Sequence, residues 1–219
     1  AEGVVTQSPF QQLAYGALVH GRMAMVGESC DALKKGLTIA VRFSAVRRQF
    51  SSGAGREENK ILDYRTHQVR LFPLLAITYA LSFTVKALKD KFDKNAAILE
   101  NSKPTDPNIK AIIETLKEIH GTTAGLKAYS TWLALEALET CRQCMGGYGY
   151  SSYSALPGMI QDFSVQCTWE GDNTVLMLQA GRYLINSYRE WKSGSTMPEG
   201  VNYLNKLPGI LCGKCNGNP

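Results

Sequence analysis

The segment from Phe10 to Phe50 limits the possible folds of this chain most strongly, because it contains no proline and repeats apolar residues at helical spacing. Those apolar residues are Leu18, Met25, Val26, Leu33, Leu37 and Val41. A segment this long predicts a bundle helix or a coiled coil. Its glycines are Gly16, Gly21, Gly27 and Gly36. Because each would weaken an isolated helix, they favour close helix–helix contact in a packed bundle.

Three further segments carry the helical period. A second helix is predicted from about Leu62 to Phe92, with Pro73 either kinking it or dividing it. A third is predicted over about Asn108–Met145, and a fourth from just after the N-cap residue Asp172 to about Trp191. Strand-type alternation is nearly absent. The predicted fold class is all-α, an antiparallel four-helix bundle with short connections.

Two segments lack this period. The stretch SSYSALPGMIQDFSVQC, between the third and fourth helices, is predicted to be irregular. Residues 193–219 are rich in Gly, Pro and Asn, so we predict a linker or tail after a bundle domain of residues 1–192. The N-terminal AEGVVTQSPF is not a signal sequence and the C-terminal NGNP is not a peroxisomal tripeptide, so we expect a piece of a longer protein.

Charge and hydropathy narrow the range of partners. The net charge is +5, and the basic residues are dispersed apart from Arg47–Arg48 and Lys34–Lys35. We therefore expect no nucleic-acid groove, whereas an anionic small ligand is compatible with this charge. No uncharged apolar run approaches the roughly 20 residues that cross a bilayer, so we expect no membrane span.

The six cysteines include two pairs with CxxC spacing, CRQC and CGKC, which raises the possibility of a zinc site. CRQC ends a helical pattern, where the spacing arises easily by chance, and CGKC lies in the glycine-rich tail and is the better candidate. The simpler expectation is reduced thiols and no metal. Structural roles are expected for the histidines, His20, His67 and His120.

Two motifs suit a nucleotide ligand. In RRQF, residues 47–50, two guanidiniums beside an aromatic ring can hold a diphosphate and cover an adenine, or simply complement a helix C-terminus. In QCMGGYGY, residues 143–150, the glycines allow backbone to approach a ligand, and Gln143 offers an amide. This second motif is not a Rossmann fingerprint, because no strand precedes it. It could also be a plain helix C-cap.

A third motif, CTWEGDNT at residues 167–174, places Glu170 beside Trp169 and just before a helix. Apolar neighbours such as Trp169 would exclude water from Glu170 and raise its proton affinity, as a general base for a weak carbon acid requires. Gly171 would let a ligand come close. The alternative is that Glu170 only favours the helix dipole.

The order RRQF, QCMGGYGY, CTWEGDNTV resembles the C-terminal helical domain of the acyl-CoA dehydrogenase and oxidase superfamily, and the finer similarity is to acyl-CoA oxidases. Supporting stretches are ALVHGRMAMVG, ILDYRTHQVRLFPLLA, EIHGTTAGLKAYSTW and TVLMLQAGRYL, and the resemblance covers about residues 13–186. Dehydrogenases usually show a Tyr-Glu-Gly-Thr pattern at the base, whereas WEGDNT looks like the oxidase version.

The resemblance implies an FAD-dependent enzyme that converts fatty acyl-CoA to trans-2-enoyl-CoA. In the family, the carboxylate matching Glu170 abstracts the α-proton while a hydride passes from Cβ to flavin N5. The backbone N–H of that glutamate and a flavin ribityl hydroxyl hold the thioester carbonyl. In oxidases O2 is then reduced to H2O2, in the first step of peroxisomal fatty acid β-oxidation, so the peroxisome is the expected location.

The resemblance also implies site residues and an oligomer. Flavin contacts are expected at Arg47, Gln49, Phe50, Gln143, Gly146, Gly147, Asp172 and Thr174. The contacts from RRQF come from the neighbouring subunit in the family, so a homodimer with FAD at the subunit interface is implied. Some relatives carry the base immediately before an arginine matching Arg22, but here that position is Gly21, which favours Glu170.

Two alternatives stay open at this point. The protein could be a dehydrogenase that passes electrons to an electron-transfer flavoprotein, or a catalytically silent helical dimerisation module. The other domains of the family are not in this sequence, so weak FAD binding and no activity are one possibility for the isolated chain, and the sequence leaves this open.

Overall fold

The computed structural model describes residues 16–51, 53–100, 102, 106–107 and 109–213. The α-helices are α1 (Gly16–Val46), α2 (Arg65–Glu100), α3 (Ile109–Cys144), α4 (Gly147–Tyr150), α5 (Leu156–Phe163), α6 (Asn173–Lys192) and α7 (Leu207–Cys212). Short 3-10 helices occupy Ile61–Asp63, Ser152–Ser154, Ser164–Cys167 and Glu199–Lys206. The sole β-type pairing among these residues is an isolated bridge between Arg48 and Lys60. The prediction of an all-α fold is confirmed.

The long helices α1, α2 and α3 pack against one another, and α6 packs on α3. Their shared core is apolar and fully buried at Leu33, Leu71 and Leu138, and it continues to Leu156 at the start of α5. Burial of this apolar surface is the main stabilising contribution to the bundle. Because α3 contacts each of the other long helices, it is the central element of the fold.

The end of α1 differs from the prediction. The predicted start at Phe10 lies outside the described residues, and the helix ends at Val46, not Phe50. After Val46 the backbone pairs with the following loop: the Ile61 N–H donates to Arg47 O at 2.9 Å and the Gln49 N–H to Asn59 O at 3.0 Å. This pairing removes the RRQF motif from the helix and leaves Arg47 and Phe50 exposed.

The second helix begins at Arg65 and continues to Glu100 without a break at Pro73. Of the two possibilities that the proline left open, division into two helices is therefore wrong. α2 is also long and apolar enough, by length and composition, to span a membrane over Arg65–Leu99, and most of that stretch is exposed in this chain. Core helices of soluble proteins meet the same criteria, and the absence of a membrane span stays a prediction.

The prediction that residues 151–167 are irregular is wrong. They form a 3-10 turn, α5 and a second 3-10 turn. Leu156 and Phe163 are buried and lie two helical turns apart, on one face of α5. Pro157 occupies the first turn of this helix, where a missing N–H costs nothing. Elements of this length are too short for a hydrophobic period to be recognised in the sequence.

The described part of the tail, up to Gly213, packs on the bundle. Met197, Val201 and Leu204 are buried and form a small cluster of their own. A polar clamp fixes the segment: the carboxylate of Glu118 on α3 accepts from the Gly200 N–H at 2.8 Å. The same carboxylate accepts from the Lys91 ammonium at 2.6 Å. The division into residues 1–192 and 193–219 stays a prediction, and Cys215 lies outside the described residues.

Candidate functional site

Glu170 lies on the loop that leads into α6, in a left-handed backbone conformation with φ 55°. Its carboxylate lies directly against Gly21 of α1. A Cβ atom at position 21 would stand 2.6 Å from Oε2 and 2.9 Å from Oε1 of Glu170. The missing side chain of Gly21 therefore makes the space that the carboxylate occupies.

Two buried cations hold the backbone of this loop. The Arg22 Nε–H donates to the carbonyl of Glu170 at 3.2 Å. The Lys127 ammonium donates to the next carbonyl, that of Gly171, at 2.8 Å. Burial lowers the pKa of Arg22, and the charge of Glu170 opposes that shift. Two consecutive carbonyls next to the candidate base are thus tied to α1 and α3.

The first residue of α6 continues this network. Asn173 is 1% exposed. Its Oδ1 accepts from the Lys127 ammonium at 2.9 Å. Its amide nitrogen donates to the Thr131 hydroxyl at 2.9 Å and to the Ala128 carbonyl at 3.3 Å. The N-terminus of α6 is therefore fixed to one turn of α3.

The expectation that Trp169 excludes water from Glu170 is not met by this chain. Glu170 is exposed, and Trp169 is 51% exposed. The Trp169 indole N–H donates to Gln166 Oε1 at 2.7 Å. Gln166 in turn donates to the Glu28 carboxylate at 2.6 Å. This chain of hydrogen bonds fixes the ring to α1, but any cover over the carboxylate must come from outside the described residues.

Asp172 and Thr174 follow the base on the same segment, and both are exposed. The Asp172 carboxylate caps α6, because Oδ1 accepts from the Thr174 N–H at 2.9 Å and from the Val175 N–H at 3.2 Å. Capping of this kind contributes about 1 kcal/mol to helix stability. Asp172 therefore has a structural role, and flavin contacts at these two residues stay a prediction.

The remaining candidate residues line one groove of about 510 Å³ at the other end of α1. It brings together the motifs RRQF and QCMGGYGY, which are far apart in the sequence. The candidate residues lining it are Arg47, Gln49, Phe50, Gln143, Gly146 and Gly147. Two amides, a guanidinium and an aromatic ring thus line the same groove, and flavin contacts at these residues stay a prediction.

Arg47 is the cation of this groove. Its guanidinium lies over the Tyr148 ring, 5.9 Å from the centroid, and donates to Gln49 Oε1 at 3.1 Å. Phe50 is 70% exposed beside it. The neighbouring Arg48 points elsewhere, donating to Glu58 O at 2.7 Å. Only one of the two guanidiniums that the sequence suggested for a diphosphate is therefore available.

The Gln143 side chain is held by charged groups on both sides. Arg70 donates to its Oε1 at 3.1 Å, and its Nε2 donates to the Glu139 carboxylate at 2.9 Å. Hydrogen bonds from Arg142 and Gln143 lower the pKa of Glu139 to about 2. These contacts fix which end of the amide is donor and which is acceptor.

Cys141 and His67 illustrate the surroundings of the described cysteines and histidines. Among the described residues no group of three metal-ligating side chains is close enough to hold an ion. Cys141 is buried, and burial raises its pKa to about 12. His67 lines the groove, and its Nε2 lies 2.8 Å from the Ser44 hydroxyl. Burial also lowers the pKa of His67, and the charge of Arg70 lowers it further.

Sequence reasoning missed Lys127, Asn173, Arg70 and Glu139. Lys127 had a signal: it lies in the buried small-residue face of α3, between Ala124 and Thr131, where a charge is unexpected. Arg70 had none, because its role depends on the approach of α2 to Gln143, whereas Glu139 had the i,i+4 spacing to Gln143 on the same helix.

The loop that carries Glu170 (residues 168–172, the base loop) and the groove lie near opposite ends of α1. From Gly21, beside the carboxylate, to Val46, next to Arg47, an α-helix rises roughly 38 Å at 1.5 Å per residue. The chain thus presents two distinct half-sites, one with a carboxylate and one with a cation and aromatic rings.

Comparisons with known proteins identify the family of this chain. The family model described as "Acyl-CoA oxidase, C-alpha1 domain" matches residues 15–185. Human peroxisomal acyl-coenzyme A oxidase 1 is 42% identical over 94% of this chain and 30% of its own length. The chain therefore belongs to the acyl-CoA oxidase family, as its C-α1 domain, and spans about a third of the length of the curated relatives it matches.

Solved structures give the same result. The crystal structure of acyl-CoA oxidase 3 from Yarrowia lipolytica has a TM-score of 0.88 and 40% identity, covering 99% of this chain and 31% of that one. Acyl-CoA oxidase 2 from Caenorhabditis elegans, bound with FAD, ascaroside-CoA and ATP, has a TM-score of 0.82 and 32% identity. That match covers 93% of this chain and 30% of the other. The predicted family resemblance is confirmed.

Proposed function

We propose that this chain is the flavin-binding helical domain of an FAD-dependent acyl-CoA oxidase, with Glu170 as the catalytic base. The observation that carries the proposal is the position of the Glu170 carboxylate. It lies against Gly21 on a loop whose carbonyls are held by two buried cations. A carboxylate carried on a fixed backbone suits proton abstraction, which depends on geometry first.

The proton to be removed is the α-proton of a thioester. Within the described part of the chain, no backbone acceptor pairs with the Glu170 N–H. That N–H can therefore donate to the thioester carbonyl, where negative charge develops as the proton leaves. When bound, FAD supplies the acceptor for the hydride from Cβ, so the product is a trans-2-enoyl-CoA.

The groove fits the adenosine diphosphate half of FAD. Arg47 offers a guanidinium for phosphate oxygens, and Phe50 and Tyr148 offer exposed rings for a base. Gly146 and Gly147 are exposed, and a Cβ at either would meet no atom within 4 Å, so backbone there is open to a ligand. Gln143, oriented by Arg70 and Glu139, adds a directional amide.

The separation of the half-sites supports a homodimer. An extended FAD is shorter than the roughly 38 Å between the base loop and the groove of one chain. One flavin can contact both kinds of site only if they come from different subunits. A two-fold dimer with FAD at its interface meets this requirement, with each flavin taking the base from one chain and the groove from the other.

The substrate class we propose is fatty acyl-CoA, with O2 as oxidant and H2O2 as second product. The family match supports it, as does the C. elegans relative described with FAD and ascaroside-CoA. The name of the human relative supports a peroxisomal location. The proposed reaction is the one expected at the first step of fatty acid β-oxidation.

The test uses the full-length protein, its visible spectrum and a peroxide assay in air with long-chain acyl-CoA. We expect flavin absorbance and peroxide formation, and Glu170→Gln should keep the flavin and lose about 10²–10⁴-fold in rate. The control is Glu136→Gln, which neutralises an exposed carboxylate on α3 and should leave the rate unchanged.

Other outcomes point to the alternatives. Turnover with an electron-transfer flavoprotein but no peroxide in air would make the protein a dehydrogenase. A colourless protein, unaffected by Glu170→Gln, would leave only a helical dimerisation module.

A further inference from the structure

Lys127 is a charged residue in the interior of the bundle. It is 0% exposed and lies on α3 among Thr123, Ala128 and Thr131, which are also fully buried. No described carboxylate lies within ion-pair distance of its ammonium. Buried charges are normally paired with opposite charges, so the position of this one requires a reason.

The ammonium is hydrogen-bonded to neutral oxygens of the base loop and of α6. It donates to Gly171 O at 2.8 Å and to Asn173 Oδ1 at 2.9 Å. Hydrogen bonds from a charged donor are about twice as strong as neutral ones. Burial nevertheless lowers the pKa of Lys127, and the nearby groups Cys167, Asp172 and Glu170 oppose that shift.

The base loop has an unusual backbone conformation, with two consecutive residues at positive φ. Glu170 has φ 55° and Gly171 has φ 111°. A non-glycine residue keeps a left-handed conformation only where its surroundings hold it. Lys127 binds the carbonyl that immediately follows Glu170, and Asn173 fixes the far end of the loop to Thr131.

We propose that Lys127 is a positioning residue for proton abstraction: by holding the Gly171 carbonyl and Asn173, it keeps the Glu170 carboxylate against Gly21. The inference rests on the proposed function of Glu170 as base. Lys127 itself lies behind the loop and does not touch the reacting atoms.

The first variant is Lys127→Met in the full-length flavoprotein, which keeps most of the length of the side chain and removes its ammonium group. We expect kcat to fall about 10–100-fold, since a displacement of about 1 Å can cost 10²-fold. KM for acyl-CoA and the flavin absorbance should stay at wild-type values. The matched control is Lys91→Met, which removes the ammonium that binds Glu118 far from the loop and should leave kcat unchanged.

A double-mutant cycle separates positioning from general damage. If Lys127 acts through Glu170, adding Lys127→Met to Glu170→Gln should change the residual rate by less than about threefold, because non-additivity is expected for residues that act as a unit. An equal fractional loss in both backgrounds, or an unchanged kcat in the single variant, would overturn the inference. If wild-type protein shows no oxidase activity, the proposed function fails.

Hydrogen–deuterium exchange tests whether Lys127 holds the base loop, and it does not depend on turnover. Lys127→Met should accelerate exchange in peptides covering residues 170–176, whereas Lys91→Met should do so around Gly200. If the Lys127→Met protein does not fold, Asn173→Asp is tested instead. This change keeps the side-chain volume, removes the N–H donors to Thr131 and Ala128, and introduces a carboxylate that attracts the Lys127 ammonium away from the Gly171 carbonyl. It should lower kcat and loosen the same peptides, and an unchanged loop in either variant would contradict the inference.

Discussion

At the scale of single residues, the position of the Glu170 carboxylate depends on Gly21, the residue that it lies against. Glu170 can occupy its position only because Gly21 has no side chain. Neither residue explains the arrangement alone, since Glu170 is exposed and held through its backbone, and its carboxylate has no hydrogen-bond partner among the described residues. The position of the base is therefore sensitive to small changes on α1.

Gly21→Ala should separate activity from stability. The new methyl group would stand 2.6 Å from Oε2 of Glu170, so the carboxylate must move. Because only the end of a flexible side chain is displaced, folding should not suffer, and helix propensity favours alanine by about 0.5–1 kcal/mol. We expect kcat to fall about 10–100-fold, measured as peroxide formation, with an unchanged or higher Tm.

The control on the same helix is Gly27→Ala. There a Cβ would meet only Val85 Cγ1 at 3.9 Å, an ordinary contact. This variant should keep wild-type kcat, and equal activities for the two variants would contradict the proposed position of the base.

The carboxyl of Glu139 should titrate at about pH 2, because Arg142 and Gln143 hydrogen-bond its charged form. Its folded pKa is depressed, so its contribution to stability is present above the ordinary carboxyl range and is lost as pH falls through about 2. Carboxyl ¹³C NMR against pH measures this midpoint. A midpoint near 4.5, or an unchanged titration curve in Arg142→Ala, would contradict the arrangement that orients Gln143.

At the scale of elements, the long helices were predictable and the short ones were not. A period repeated over many turns identifies α1, α2, α3 and α6, because each buries one apolar stripe. α5 has only two turns, and its Pro157 and Gly158 suggested a loop. The exit of α1 at Val46 depends on pairing with residues 59–61, which local sequence does not encode.

At the candidate site, the residues in recognisable motifs could be predicted from the sequence, but the residues that hold them in place could not. Glu170 and Arg47 stand in recognisable motifs, whereas Lys127 and Arg70 matter only because α3 and α2 bring them to those motifs. The predicted covering of Glu170 by Trp169 failed because the ring is tied to Gln166.

One contact between the tail and α3 is too close to accept a side chain at Gly200. A Cβ at Gly200 would stand 2.4 Å from Glu118 Oε1, the atom that binds Lys91 and the Gly200 N–H. Gly200→Ala should therefore disturb these bonds and lower the free energy of unfolding by about 1–3 kcal/mol. Thermal or urea unfolding measures the loss.

Gly209→Ala in α7 is the matched control for this change, because a Cβ there meets no atom within 4 Å. It should leave the unfolding midpoint unchanged or slightly higher. Equal midpoints for Gly200→Ala and the wild type would mean that the clamp does not fix the tail.

At the scale of the whole molecule, the proposal of a shared flavin site makes a prediction about mixed dimers. Glu170→Gln and Arg47→Ala should each be inactive alone. If each flavin uses the base of one chain and the groove of the other, a mixed dimer keeps one intact site. Since half of randomly formed dimers are mixed, about a quarter of wild-type activity should return on co-expression.

The absence of any recovered activity on co-expression would contradict the shared flavin site. If base and groove served the same flavin within one subunit, every site in the mixture would carry one defect and no activity would return. Co-expression of Glu170→Gln with itself, at the same total protein concentration, provides the baseline.

The central claim is that the Glu170 carboxylate removes the proton, and anaerobic single turnover tests it most directly. Full-length protein is mixed with acyl-CoA in the absence of oxygen, and loss of the flavin absorbance is followed in time. We predict that Glu170→Gln binds flavin and acyl-CoA as the wild type does but loses the absorbance about 10²–10⁴-fold more slowly. Loss of the absorbance at the wild-type rate in Glu170→Gln would contradict the account.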